Sequence, residues 1–285
     1  MEFTLDAASP AERIREVYDR VGFVSFPNLL GPDEVALLDA AYWEGVENGA
    51  IARSEDAIGN NNDAIFRHPL FERYVKDDRI LAIASTVIGR GFEVQHTKLN
   101  AKPPGGRGGA VPWHQDFPYF PHTNHDLPAV LIHLDDEDET NGALRFIPGS
   151  HGWGVLPHHD TDGNFLYQAE DQAGCDAHPS VLLKVPAGTV SVHHSLALHK
   201  SDDTTSGRER RLLVFQYRAE DAVQLAGAIW RCSGYPVCLQ DPIKRARFPD
   251  GSSVVLRGRG GRLFDLFGTL QPDNPASGGY KTVRS

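Results

Sequence analysis

The 285-residue chain carries 28 lysines and arginines against 38 aspartates and glutamates, a formal net charge of −10 that argues against general binding to nucleic-acid phosphates. An apolar content of 40% supports a substantial core, while 28 glycines and 19 prolines favour a turn-rich fold over a helical bundle. No run approaches the roughly 18 consecutive apolar residues of a membrane span, and the acidic N-terminus has no secretory leader, so the expectation is a cytoplasmic protein with no membrane partner.

In chain order, Ile14, Val17, Tyr18 and Val21 recur at helical spacing and are followed by Gly22 and the extended run Phe23 to Pro27. A second helix is expected from Gly31-Pro32-Asp33, with proline in its first turn and Val35, Leu38, Tyr42 and Val46 on its apolar side. Residues 49–69 read as loop. A third helix over 78–88 carries Ile80, Ile83, Ala84 and Val87 inward and stops at Gly89. From Phe92 onward the texture becomes short β runs, over 92–100, 129–134, 144–147, 181–185, 189–194 and 212–217, separated by Gly, Pro and Asp turn signals. Such spacing predicts a sandwich or barrel. Neither a repeat nor a domain boundary is visible, so residues 1–285 are expected to form a single domain: a helical part to about 90, a β-barrel core over about 91–220 and a C-terminal extension over 221–285.

Cys175, Cys232 and Cys238 are an odd, scattered set, which fits reduced thiols better than a zinc knuckle or a disulfide framework. The histidines are more informative. In an extended strand, residues i and i+2 share a face, so His114 and Asp116 of Trp113-His114-Gln115-Asp116 can reach one point, with Gln115 directed away from it. Two imidazoles and one carboxylate leave half of an octahedral shell open, the facial triad of non-heme iron(II) oxygenases, and His199 is the best candidate for the second imidazole. A zinc hydrolase could use the same three ligands. A cupin-like binding domain without catalysis is the remaining alternative.

Three segments carry a resemblance that favours the oxygenase reading. Residues 112–121 (PWHQDFPYFP), residues 141–151 (NGALRFIPGSH), and Leu198-His199-Lys200-Ser201 with Arg210 eleven positions after His199 resemble the phytanoyl-CoA dioxygenase family, in its order and at close to its spacings. The resemblance runs from Gly22 to about Tyr217. It implies a mainly β fold, a double-stranded β-helix (jelly roll, cupin-like) with N-terminal flanking helices. It also implies iron(II) held by His114, Asp116 and His199, with 2-oxoglutarate and O2 as co-substrates. Arg210 would hold the distal carboxylate of 2-oxoglutarate in a two-donor fork, assisted by Ser201, with Lys98 as a polar co-substrate contact. Arg208 shares the strand face of Arg210 and Arg211 is its neighbour, so the family spacing sets the register. Asp116 stands where related halogenases have a small residue, which favours hydroxylation or another oxidation of an unactivated C–H bond.

Other features carry blander expectations. The segment 149–179 reads equally as a substrate lid or a decorative loop. Asp135 to Glu139 reads as a solvated hairpin and Lys102 to Gly109 as a flexible approach to the metal strand. Of His193 and His194, which point to opposite sides of a strand, one is expected to be a satisfied core histidine. The cations Lys244, Arg245, Arg247, Arg257, Arg259 and Arg262 could grip an anionic substrate group, but a basic surface hairpin is favoured. The expected substrate is therefore a small or medium-sized metabolite, in secondary metabolism, with a fatty acyl-CoA as the alternative.

Overall fold

The computed structural model describes residues 2–105, 109–241 and 244–257. Its N-terminal part holds α1 (Ala11–Val21), β1 (Phe23–Phe26), α2 (Pro32–Glu47), β2 (Gly59–Asn62), α3 (Pro69–Tyr74) and α4 (Asp78–Ile88). The β-rich part follows with β3 (Phe92–Lys102), β4 (Val111–His114), β5 (Ala129–His133), β6 (Leu144–Phe146), α5 (Gln172–Asp176), β7 (Val181–Leu182), β8 (Val190–His193), β9 (His199–Ser201) and β10 (Arg210–Ala219). Three short strands complete it: β11 (Tyr235–Cys238), β12 (Lys244–Arg247) and β13 (Ser253–Arg257).

The pairings between these strands are antiparallel, and one isolated parallel bridge joins Thr4 to Ser25 of β1. The large sheet runs β1-β8-β5-β10-β3-β11, with β2 also paired to β3, and the small sheet runs β4-β9-β6-β7. Together they form the mainly β, cupin-like fold that the sequence implies. The barrel is not confined to 91–220, because β1 and β2 come from the helical part and β11 from the extension, each joining the large sheet.

The helices form where apolar residues repeat at i, i+3 and i+4, and they cover the outer face of the large sheet. Val17, Val21, Leu38, Tyr42, Ile80 and Ile83 pack with Val130, Ile132, Leu213 and Phe215 in one core. Gly89 ends α4 in the left-handed region at φ 76°, as its sequence position implied. Residues 49–69 are not plain loop. They contain β2 and a turn of 3-10 helix at Ala64–Phe66, and a proline-initiated helix begins at Pro69. The asparagine-rich string Gly59-Asn60-Asn61-Asn62 has low strand propensity, and its pairing with β3 overrides that preference.

Aligned positions on neighbouring strands put their side chains on one face. Lys102 pairs with Arg210, Lys98 with Val214 and His96 with Gln216, while His133 lies opposite Leu212 and Ser191 opposite Leu131. This inner face of the large sheet meets the small sheet, which carries His114 and His199.

Candidate metal centre

His114 and His199 are directly opposite each other on β4 and β9. Each ring donates its Nδ1–H to a backbone carbonyl two residues earlier, His114 to Pro112 and His199 to Ala197, both at 2.9 Å. These bonds fix the tautomer and leave both Nε2 lone pairs free. Each Nε2 lies 3.9 Å from Oδ1 of Asp116, and the three candidate ligand atoms fall within 4.8 Å of one another. Burial pushes His114 down to about 4 and His199 well below the usual histidine range, so both rings are neutral near pH 7, the state a metal requires. Burial acts to raise Asp116, but the His193 hydrogen bond and nearby cationic groups, Lys98 among them, outweigh it and hold the carboxyl well below its usual range.

The route by which Asp116 arrives differs from simple alternation. Strand β4 ends at His114, and Asp116 has helical torsions (φ −69°, ψ −38°) as the chain turns into the 3-10 helix Phe117–Tyr119. A turn therefore aims the carboxylate. Its second oxygen, Oδ2, accepts a hydrogen bond from His193 Nε2 at 3.0 Å. His193 is thus no satisfied core histidine: its Nδ1 is buried without a partner, and its ring lies 4.7 Å from that of His199.

Gln115 does point away from the candidate ligands, and it is fully buried. Its amide donates to the carbonyls of Gly154 and Leu196 and accepts from Leu156 N–H, while its own N–H donates to His158 Nε2. On the same side, Gln172 accepts from Trp113 N–H and donates to the Trp113 carbonyl, which also receives Ala169 N–H. Tyr119, edge-on to His114, donates its hydroxyl to the Tyr167 carbonyl at 2.5 Å. The segment 149–179 is therefore bonded to the candidate ligand strand at many points, which a decorative loop would not be.

At the other end of the inner face, Arg210 is 1% exposed, and among the described residues its side chain bonds only the Gly142 carbonyl, at 3.1 Å, with Nε buried and unpartnered. Burial pushes its pKa down, opposed by the more distant Glu137 and Asp135. No carboxylate among the described residues stands within ion-pair distance of it. The neighbouring arginines are engaged elsewhere. Arg208 precedes the strand, is exposed and pairs with Asp138, while Arg211 faces outward and pairs with Asp135 and Asp39. Arg208 therefore does not share a strand face with Arg210. Ser201 is buried on β9; Lys98 is half-buried on β3, and its charge acts on the titration of His114 and Asp116.

Sequence reasoning missed three groups here. Lys102 is the fully buried last residue of β3 and no part of a flexible approach; residues 106–108 of that stretch lie outside the described residues. Glu137 is not solvated, being 3% exposed and 2.7 Å from His133 Nδ1, whose other ring nitrogen meets the Ser191 hydroxyl at 2.9 Å. His193 is the third. A basic residue closing a strand, or a glutamate four positions after a histidine, is too common a pattern to single these out.

The match to the family model of phytanoyl-CoA dioxygenase (PhyH) covers residues 18–212, which holds every candidate residue above. The chain belongs to the phytanoyl-CoA dioxygenase family. It is 32% identical over 245 residues to a probable alpha-ketoglutarate-dependent hypophosphite dioxygenase of Stutzerimonas stutzeri, covering 79% of this chain and 82% of that one. It is 28% identical over 269 residues to the ectoine dioxygenase of S. stutzeri strain A1501, covering 84% and 83%. Among solved structures, the carbocyclase SnoK from nogalamycin biosynthesis superposes with a TM-score of 0.69 at 23% identity, covering 84% of this chain and 96% of that one. EctD from S. alaskensis, solved with 2-oxoglutarate and 5-hydroxyectoine, gives 0.66 at 20% identity, covering 84% and 89%. By class the protein is a 2-oxoglutarate-dependent dioxygenase, with iron and 2-oxoglutarate as its cofactors. No helix among the described residues is long and apolar enough to cross a membrane.

Proposed function

We propose that His114, Asp116 and His199 hold the iron, that Arg210 with Ser201 and Lys98 seats 2-oxoglutarate, and that the enzyme oxidises a C–H bond of a small or medium-sized metabolite of secondary metabolism. The observation that carries this reading is Arg210, a guanidinium buried inside the barrel with an orphaned donor and, among the described residues, no carboxylate within ion-pair distance. Such a group is costly unless an anion completes it, and its planar fork suits a carboxylate. When bound, iron and 2-oxoglutarate supply the oxidising chemistry. The protein's own part is positional. The Pro112 and Ala197 carbonyls keep the protons of His114 and His199 on Nδ1, His193 holds the outer oxygen of Asp116, and Phe146 and Tyr119 wall the imidazoles against water.

The small-metabolite reading is supported by the relatives, whose names carry hypophosphite, ectoine and L-proline. It is also supported by the basic cluster. Lys244 pairs with Glu93, which Arg218 shares, Arg245 pairs with Asp241, and Arg247 pairs with Asp126 and Asp221, so all three cations are already engaged in ion pairs and poorly placed to grip a coenzyme A tail. The Arg257 side chain, Arg259 and Arg262 lie outside the described residues. In the first test, iron(II) and 2-oxoglutarate are added without oxygen and the weak visible charge-transfer band of the chelate is sought. It should form in the wild type and vanish in His199→Ala. Succinate release is then compared between phytanoyl-CoA and a panel of free metabolites. Coupled turnover of the thioester alone would replace the small-metabolite reading with the acyl-CoA one.

A further inference from the structure

Strand β3 carries a one-residue bulge. His96 pairs with Gln216 and Val94 with Tyr217, so Gln95 is the extra residue between them, and a bulge re-aims side chains. Gln95 and His96 consequently meet, the Gln95 Oε1 in hydrogen-bond contact with the His96 Nδ1. His96 begins a row that crosses the inner face through Gln216 and Ala129 to His193, the residue that holds Asp116. It therefore stands level with the candidate metal centre.

Hydrogen-bond chemistry fixes the proton on this ring. The Gln224 amide lies 2.9 Å from the backbone carbonyls of Ala226 and Ala228, which only accept, so its nitrogen faces them and its oxygen faces Gln95. Gln95 meets that oxygen with its own nitrogen at 3.5 Å and so turns its oxygen to His96. Nδ1 of His96 must then carry the proton, which leaves Nε2 an acceptor. Nε2 is the ring nitrogen farther from the strand and has no partner among the described residues. Burial first, then the charge of Lys98, lower this histidine to about 3 against the pull of Asp116, so near pH 7 it is neutral. Aromatic surface frames the ring: Trp230 is stacked on it at 4.6 Å and Phe120 stands edge-on at 5.1 Å. Gln224 and Trp230 lie beyond residues 18–212, so the relay is anchored outside the stretch that the family model matches.

Resting on the proposed iron centre, we propose that His96 recognises the substrate: the relay from Gln224 through Gln95 holds Nε2 as an acceptor, which takes a hydrogen bond from an uncharged hydroxyl or N–H of the metabolite. An oxyanion at this point would face a lone pair and find no donor. The site thereby selects a substrate that carries a neutral donor beside apolar or aromatic surface.

The first test is the ring-nitrogen NMR spectrum of the full-length, metal-free protein labelled with 15N-histidine, with His96 assigned from His96→Phe. At pH 7, Nδ1 should carry the proton and Nε2 should not, and Gln224→Leu should leave a mixture of the two tautomers. A proton on Nε2 in the wild type would overturn the proposal. The second test is calorimetric titration of phenol, anisole and benzoate, which present a donor, an acceptor and an oxyanion on one ring, into protein supplied with iron(II) and 2-oxoglutarate without oxygen. Phenol should bind about tenfold more tightly than anisole, the size of one buried hydrogen bond, and benzoate more weakly than either. His96→Phe keeps the stacking and loses the acceptor, so the preference for phenol should vanish. Equal affinities, a preference for benzoate, a preference that survives in His96→Phe, or no binding of phenol would each overturn the proposal. If His96→Phe does not fold, His96→Gln supplies the assignment, and the tautomer and the wild-type order of affinities decide. Failure to bind iron, with the tautomer and the phenol preference intact, would overturn the proposed function and leave a donor-selective pocket.

Discussion

On the outer face of β10, Arg211 is gripped by Asp135 at 2.6 and 3.0 Å and by Asp39 of α2 at 2.5 Å, with its guanidinium 5.0 Å from the Tyr42 ring centre. On the inner face, one residue earlier, Arg210 is buried more deeply and holds a single backbone carbonyl. The same side chain on the same strand is ion-paired on the face that binds helices and, among the described residues, has no ion-pair partner on the face that lines the candidate site. A fold that places Asp39 and Asp135 around one guanidinium could neutralise the other. The difference therefore separates a residue that stabilises the fold from one proposed to bind the co-substrate.

The largest effect that could break this contrast is on co-substrate binding. Arg210→Met should cut the apparent affinity for 2-oxoglutarate at least about a hundredfold, from the loss of two charged hydrogen bonds of roughly 1.5–3 kcal/mol each, and Arg210→Lys about tenfold. The ligand-free protein should melt no lower in either variant, because a buried unpaired cation has gone or shrunk. A fall of several degrees in the melting point of Arg210→Met would mean that the guanidinium supports the fold after all. Arg211→Met should show the reverse, with KM for 2-oxoglutarate unchanged and about 2–4 kcal/mol of stability lost in urea titrations, since Asp135 and Asp39 are left without their partner.

The metal end of the barrel offers an intermediate case, in which neutral hydrogen bonds do the positioning. His193→Phe removes the donor to Asp116 Oδ2, and loss of such an outer partner typically costs about tenfold to a hundredfold in metal affinity. Competition with a metallochromic chelator would measure it, and unchanged affinity would reduce His193 to packing. Gln115→Leu strips partners from Gly154, Leu196 and Leu156 and should lose about 1–3 kcal/mol, together with protection of 149–179 from proteolysis.

The smallest effect per residue is a response to acid. Burial first lowers His96, His122 and His194 to about 3 and His114 to about 4. Between about pH 6.5 and those values the unfolded chain binds protons that the folded chain does not, so stability should fall as pH drops through that window. The melting point should decline from about pH 6.5 downward with uptake of more than one proton. A flat profile to pH 4 would show these rings titrating normally.

Much of this was legible in the sequence, for reasons that particular residues make plain. The helix over 78–88 announced itself by apolar period and a terminal glycine, and the candidate ligands by a histidine and aspartate two apart with a partner eleven residues before an arginine. Apolar period and capping carried the first, and the family's motif spacing carried the second. What stayed hidden was set by pairing between distant segments: the low-propensity strand at 59–62, the turn that aims Asp116, the burial of Lys102 and Glu137, and the attachment of 149–179. In each case the deciding neighbour lies far away in the chain, and periodicity holds no record of it.

The bonding of Gln172 to Trp113 has one more consequence. Strand β4 is the outermost member of the small sheet, so its far side would offer bare peptide groups to any extended chain that met it. The side-chain amide of Gln172 takes both the N–H and the carbonyl of Trp113, imitating the pair of bonds a further strand would make, and Ala169 adds a third. The strand that bears a candidate metal ligand is thereby closed to β-addition, and a chain shortened through 149–179 would be prone to edge-to-edge aggregation whether or not its three candidate ligands remained in place.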